Sequence, residues 1–106
     1  MNESDFNQLA EDTMVAIEEA IDECGVDIDY DTAGGILTLE FANGSQIIVN
    51  KQTPLTQIWV AAQSGGFHFD YDADDECWRL QGGGDELFNC LGRYCSEQAG
   101  EQVELG

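Results

Sequence analysis

Apolar positions in the first 24 residues recur at helical spacing. At about 100° per residue, Phe6, Leu9, Ala10, Thr13, Met14, Ile17, Ala20, Ile21 and Cys24 fall within one arc of about 140°, which predicts an amphipathic helix over residues 3–24. Glu11, Asp12, Glu18, Glu19, Asp22 and Glu23 occupy a separate arc. Ser4 is the expected N-cap and Gly25 the C-terminal stop. The period then changes to two. Val26-Asp27-Ile28-Asp29-Tyr30-Asp31 sets three apolar side chains against three carboxylates, as a half-buried strand would. Two further strands, 36–41 and 46–50, flank Ala42-Asn43-Gly44-Ser45, whose Asn-Gly is a hairpin signal. Residues 56–62 read as a strand with Ile58 and Val60 inward and Gln57 and Trp59 on the opposite face. A turn at Ser64-Gly65-Gly66 leads to alternating Phe67-His68-Phe69-Asp70-Tyr71, and a short strand surrounds Trp78. After the joint Gly82-Gly83-Gly84, Asp85 is positioned to cap a second helix over residues 85–99. Its inner face would hold Leu87, Phe88, Leu91, Tyr94 and Cys95, with Gly92 as an internal cost of about 1 kcal/mol relative to Ala.

This order, helix then five or six hairpin-linked strands then helix, predicts an α+β fold. The economical arrangement is a two-layer α-β sandwich with both helices on one face of an antiparallel sheet. The 106 residues suit a single domain, with no repeat or proline-rich linker to divide them.

Charge changes the picture next. Twenty-two Asp and Glu oppose three Lys and Arg, for a formal net charge of −19. Three basic residues cannot build a phosphate-binding patch, so neither a nucleic acid nor an anionic membrane surface is an expected partner. The acids are segregated: residues 1–31 hold no base, Glu40 is the one acid between 32 and 69, and five more cluster from Asp70 to Glu76. Helix stability does not explain this placement. Glu18/Asp22 and Glu19/Glu23 are like-charge i,i+4 pairs, and acids near a helix C-terminus oppose its dipole.

The candidate chemistry is correspondingly narrow. One histidine, His68, cannot form a His-rich metal centre, and its alternation with Phe67 and Phe69 puts it on the face opposite them. The triple glycine lacks the residues of a phosphate loop. Cys24, Cys77, Cys90 and Cys95 match no zinc spacing and are expected as free thiols. An enzyme is therefore not expected. Glu18, Glu19, Asp22, Glu23, Asp27, Asp29 and Asp31 would form one ridge if the first strand lay at the sheet edge beside the helix. Carboxylates are hard donors suited to calcium, magnesium, manganese and iron. An exposed ridge without a shaped cage would bind several ions weakly. A solubility face and a docking surface for a basic protein explain the same charge.

The whole chain resembles the frataxin family, within it the bacterial CyaY branch. The resemblance is carried by Ser4-Asp5-Phe6 opening into an acidic helix with Ile17-Glu18-Glu19, by Gly34-Gly35-Ile36-Leu37-Thr38-Leu39, and by Asn43-Gly44-Ser45 running on to Asn50-Lys51-Gln52. Pro54-Leu55-Thr56-Gln57-Ile58-Trp59 and Ser64-Gly65-Gly66-Phe67-His68-Phe69-Asp70 complete it. It implies an iron-binding protein of iron–sulfur cluster assembly that acts on the complex of cysteine desulfurase and scaffold, as an iron-dependent regulator or an iron donor. Ferrous and ferric iron would bind at the seven ridge carboxylates, with other divalent cations competing. Glu18, Glu19, Asp22 and Glu23 would also meet the partner, as would Asn50, Gln57 and Trp59 on the open sheet face. The resemblance further implies a bacterial cytoplasmic monomer, with iron-driven oligomers as a further state. An acidic adaptor with incidental metal affinity, and a weak iron oxidase or storage protein, are the competing expectations. No Glu-x-x-His motif supports the oxidase.

Overall fold

The computed structural model describes residues 2–82 and 84–105. Helix α1 spans Glu3–Glu23 and is capped by Asn2, not Ser4: Asn2 Oδ1 accepts from Asp5 N–H at 2.7 Å. The apolar arc lands inward, with Phe6, Ala10, Met14, Ile17 and Ile21 buried. Gly25 follows at φ 75°, the left-handed conformation that stops the helix.

Six strands follow: β1 (Ile28–Ala33), β2 (Ile36–Phe41), β3 (Gln46–Gln52), β4 (Gln57–Ala62), β5 (Gly65–Asp72) and β6 (Cys77–Leu80). They form one antiparallel sheet in chain order, β1-β2-β3-β4-β5-β6. Helix α2 spans Leu87–Ala99. Its cap is Glu86, whose carboxylate accepts from Phe88 and Asn89 N–H. Asp85, the expected cap, instead lies 3.4 Å from Arg93. Gly83 of the expected glycine joint lies outside the described residues.

Several boundaries move from their sequence expectation: β3 runs on to Gln52 and α2 starts at Leu87. β1 begins at Ile28 and continues to Ala33, so Val26 and Asp27 precede it. β4 begins at Gln57 because Thr56 adopts φ 49° after the turn containing Pro54. The β4–β5 turn is Gln63-Ser64, while Gly65 and Gly66 are already paired with Ala62 and Ala61.

Both helices cover the sheet face that carries Leu37, Leu39, Ile47, Val49, Ile58, Val60 and Phe69, all at most 1% exposed. Phe6 meets Trp78 edge-on with centroids 5.8 Å apart, and the Trp78 indole N–H donates to Thr13 Oγ1 at 2.9 Å. The buried polar side chain on this face is satisfied. Gln98 Oε1 accepts from Gln63 N–H, and its Nε2 donates to Ser45 Oγ and Gln46 C=O. Gln98 thus ties the end of α2 to two hairpins. Gln98→Leu fills the space but orphans these groups, and should cost about 2–4 kcal/mol in chemical denaturation.

The tail beyond α2 is structural. Val103 and Leu105 are buried, and Ser96 Oγ exchanges hydrogen bonds with the Val103 backbone. A Cβ on Gly92 would sit 3.3 Å from Val103 C=O, which explains a glycine inside the helix.

Candidate functional site

β1 is one of the two edge strands, and the C-terminal half of α1 runs beside it. Two hydroxyls link them. Tyr30 Oη donates to Asp22 Oδ2 at 2.8 Å, and Thr32 Oγ1 donates to Glu18 Oε2 at 2.6 Å. Tyr30 and Thr32 share strand parity with buried Ile28, so they point to the helix side of the sheet. The hydrogen bond to Asp22, then partial burial and the neighbouring negative charges, push the Tyr30 phenol above its ordinary pKa and keep it a donor.

Asp29 and Asp31 have the opposite parity and project from the outer face, where Asp29 stands across from Glu40. Glu19 and Glu23 lie on the exposed flank of α1, and Asp27 lies in the connection before the strand. The seven carboxylates therefore border one sheet edge but divide between its two faces. They form a belt and not a cup. Among the described residues, no group of three His, Cys, Asp or Glu side chains is arranged to hold a metal ion. Such a belt can attract cations through many shared, solvent-exposed oxygens. It cannot select one by fixed geometry.

The outer sheet face carries the second candidate set. Trp59 stacks on His68 of β5, with centroids 4.2 Å apart and planes 11° from parallel. Asn50 is the neighbour of Trp59 on β3, and both are half-buried. Gln57 is not an open contact residue. It is buried, its Oε1 accepts from the Trp59 indole at 2.8 Å, and its Nε2 donates to Asp70 at 3.0 Å. Gln57 therefore positions Trp59. A shallow cavity of about 170 Å³ opens between Ile48, Asn50, Trp59, Ala61 and His68.

A family model described as a frataxin-like domain matches residues 1–101. The chain belongs to the frataxin family. An iron-sulfur cluster assembly protein CyaY of Pseudomonas aeruginosa is 48% identical over 105 residues, covering 99% of this chain and 97% of the relative. The protein of the same name from Tolumonas auensis is 49% identical over 106 residues, covering 100% of both chains. Among solved structures, the frataxin from Psychromonas ingrahamii superposes with a TM-score of 0.91 at 42% identity, covering 100% of this chain and 99% of that one. Yeast frataxin, at 23% identity and a TM-score of 0.66, shares the fold.

In this frataxin the 70–76 acid cluster is mostly turn chemistry. Asp72 Oδ1 accepts from Asp74 and Asp75 N–H, and Arg79 bridges Asp72 and Asp75. These contacts, led by the Asp75 backbone N–H, hold the Asp72 carboxyl below its usual range. The four cysteines are free thiols, as expected, and burial pushes Cys95 up to about 12. No helix among the described residues is long and apolar enough to cross a membrane.

Sequence reasoning missed Tyr30, Thr32 and His68 as parts of these sites. The register across Gln63-Ser64 would have paired Trp59 with His68, but the expected turn, Ser64-Gly65-Gly66, starts one residue later and is one residue longer. Tyr30 and Thr32 could be found once β1 was known to border the helix.

Proposed function

We propose that this frataxin serves iron–sulfur cluster assembly as an iron-responsive docking protein, regulating or supplying iron to a complex of cysteine desulfurase and scaffold. The observation that carries the reading is the belt of uncaged carboxylates from Glu18 to Asp31 along one sheet edge. It supports weak iron binding and attachment to a basic protein surface through the same groups. Iron, as cargo, would be held by two or three carboxylates at a time with water completing its shell. Bound cations would lower the negative potential of the belt and so alter its attraction for a basic partner. Trp59, steadied by Gln57 and His68 and with Asn50 beside it, offers a separate contact for the scaffold.

Anaerobic titration with ferrous iron, followed by amide NMR, tests the placement. Line broadening should centre on residues 18–31, with micromolar or weaker affinity and competition from other divalent cations. Broadening confined to Trp59, His68 or α2 would place the metal elsewhere. Turnover of desulfurase and scaffold with this protein should change on adding iron. An effect indifferent to iron would leave an acidic adaptor.

A further inference from the structure

The free side of β1 is a row of backbone groups, and the register identifies them. Gly34 and Gly35, at φ 60° and 79°, form a two-residue hairpin turn of type I′ that makes Ala33 and Ile36 the closing hydrogen-bonded pair. Bonded and non-bonded pairs alternate in an antiparallel ladder. Asp29, Asp31 and Ala33 therefore aim their N–H and C=O at β2, while Tyr30 and Thr32 aim theirs outward. Phe41, opposite Ile28, has the matching phase, since its N–H donates to Ser45 on the β3 side. No backbone group of another described element bonds to Tyr30 or Thr32, and every residue from Asp29 to Ala33 is exposed.

Charges on an edge strand commonly prevent pairing between copies. Here a β1–β1 pair would bring Asp29 and Asp31 against their own counterparts. The same charges favour a strand of opposite sign. Its side chains would meet Asp29 and Asp31 on the outer face, and Glu18 and Asp22 on the helix face. The Asp29–Glu40 repulsion on the outer face would also be relieved by a cation beside it.

We propose that β1 accepts an extended Lys/Arg-rich segment of a protein partner as a seventh strand, with the acidic belt selecting its charge and Tyr30 and Thr32 supplying backbone hydrogen bonds. The proposal rests on the belt being a docking surface and adds how the partner is held. Side-chain attraction alone would be tolerant of register. Backbone pairing fixes the partner's direction and spacing along the edge.

The test uses two acetylated and amidated synthetic peptides of alternating lysine and threonine, one with ordinary peptide bonds and one N-methylated throughout. They carry the same charge, but the second cannot donate from its backbone. The ordinary peptide should bind at least about tenfold more tightly, the loss expected when one or two backbone hydrogen bonds disappear. It should slow hydrogen exchange at the Tyr30 and Thr32 amides. Thr32→Pro removes one outward donor at an edge position that tolerates proline, and should weaken the ordinary peptide severalfold; the methylated peptide, whose N-methyl groups keep its carbonyls from approaching the edge, should be unaffected. Equal binding of both peptides with unprotected amides would overturn strand addition while leaving the belt as a docking surface. Failure of both peptides to bind at low salt would overturn both readings.

Discussion

Reversal of Glu18, Glu19, Asp22 and Glu23 to lysine together is expected to abolish binding to the proposed desulfurase partner, a loss of at least about a hundredfold. Each exposed ion pair contributes roughly 0.2–1 kcal/mol, so any single change to alanine should weaken binding only about 1.5- to fivefold. The joint reversal removes four attractions and replaces them with repulsions of a basic surface, which act on the association rate most strongly. The helix should tolerate it. Like-charge spacing is unchanged, and lysines near the C-terminus of α1, whose last turn holds no basic residue, suit the helix dipole. The lost hydrogen bonds from Thr32 and Tyr30 are at exposed positions and should cost little. Calorimetric titration against the isolated desulfurase, with circular dichroism of the variant, checks this. If the reversed protein binds like wild type while Trp59→Ala does not, the outer sheet face is the docking site.

The second large effect lies in the tail. Removing residues 102–106 takes away Val103 and Leu105, which are 3% and 6% exposed, and uncovers the surface of α2 beneath them. At about 1.5–3 kcal/mol for each buried aliphatic side chain, the loss should reach about 3–5 kcal/mol. Tm should fall by more than about 10 °C. Gly92→Ala supplies a diagnostic partner for this truncation. In the full chain its Cβ would press on Val103 C=O at 3.3 Å, offsetting the gain in helix propensity. In the truncated chain the obstruction is gone, and the substitution should stabilise by up to about 1 kcal/mol. Thermal unfolding of the four proteins reads both effects. A substitution equally stabilising in both backgrounds would show that the tail does not require the glycine.

The sequence pattern made some of this plain and concealed the rest. The α1 arc was legible because five buried residues on one stripe leave little choice of face. Ile58 and Val60 likewise fixed the inner side of β4. The β4–β5 register was not legible, since Ser64-Gly65-Gly66 looks like a turn whether or not the glycines pair. Gly65, at φ 146°, pairs with Ala62 at the start of the strand. The tail was missed for a different reason. Val103 and Leu105 are too few to show a period, and their binding surface comes from α2 and the close approach at Gly92. The acids were countable from the start, and the alternation already set Asp29 and Asp31 opposite the apolar face; where the strand begins was not legible. Starting at Ile28 leaves Asp27 outside the strand, with Asp29 and Asp31 across the sheet from the helix. The buried role of Gln57 needed the Trp59 and Asp70 partners that only the folded sheet supplies.

The chain-ordered sheet also sets a sequence of events in time. Every strand pairs with its immediate successor, so each hairpin can close over a short loop before any distant segment arrives. The sheet can grow outward from whichever hairpin forms first. The last contacts are left to α1 and the tail: Phe6 packs on Trp78, and Val103 bonds to Ser96 once α2 has formed. Short-range pairing should therefore govern the speed of folding, while α1 and the tail act as late closures that determine how long the native state persists.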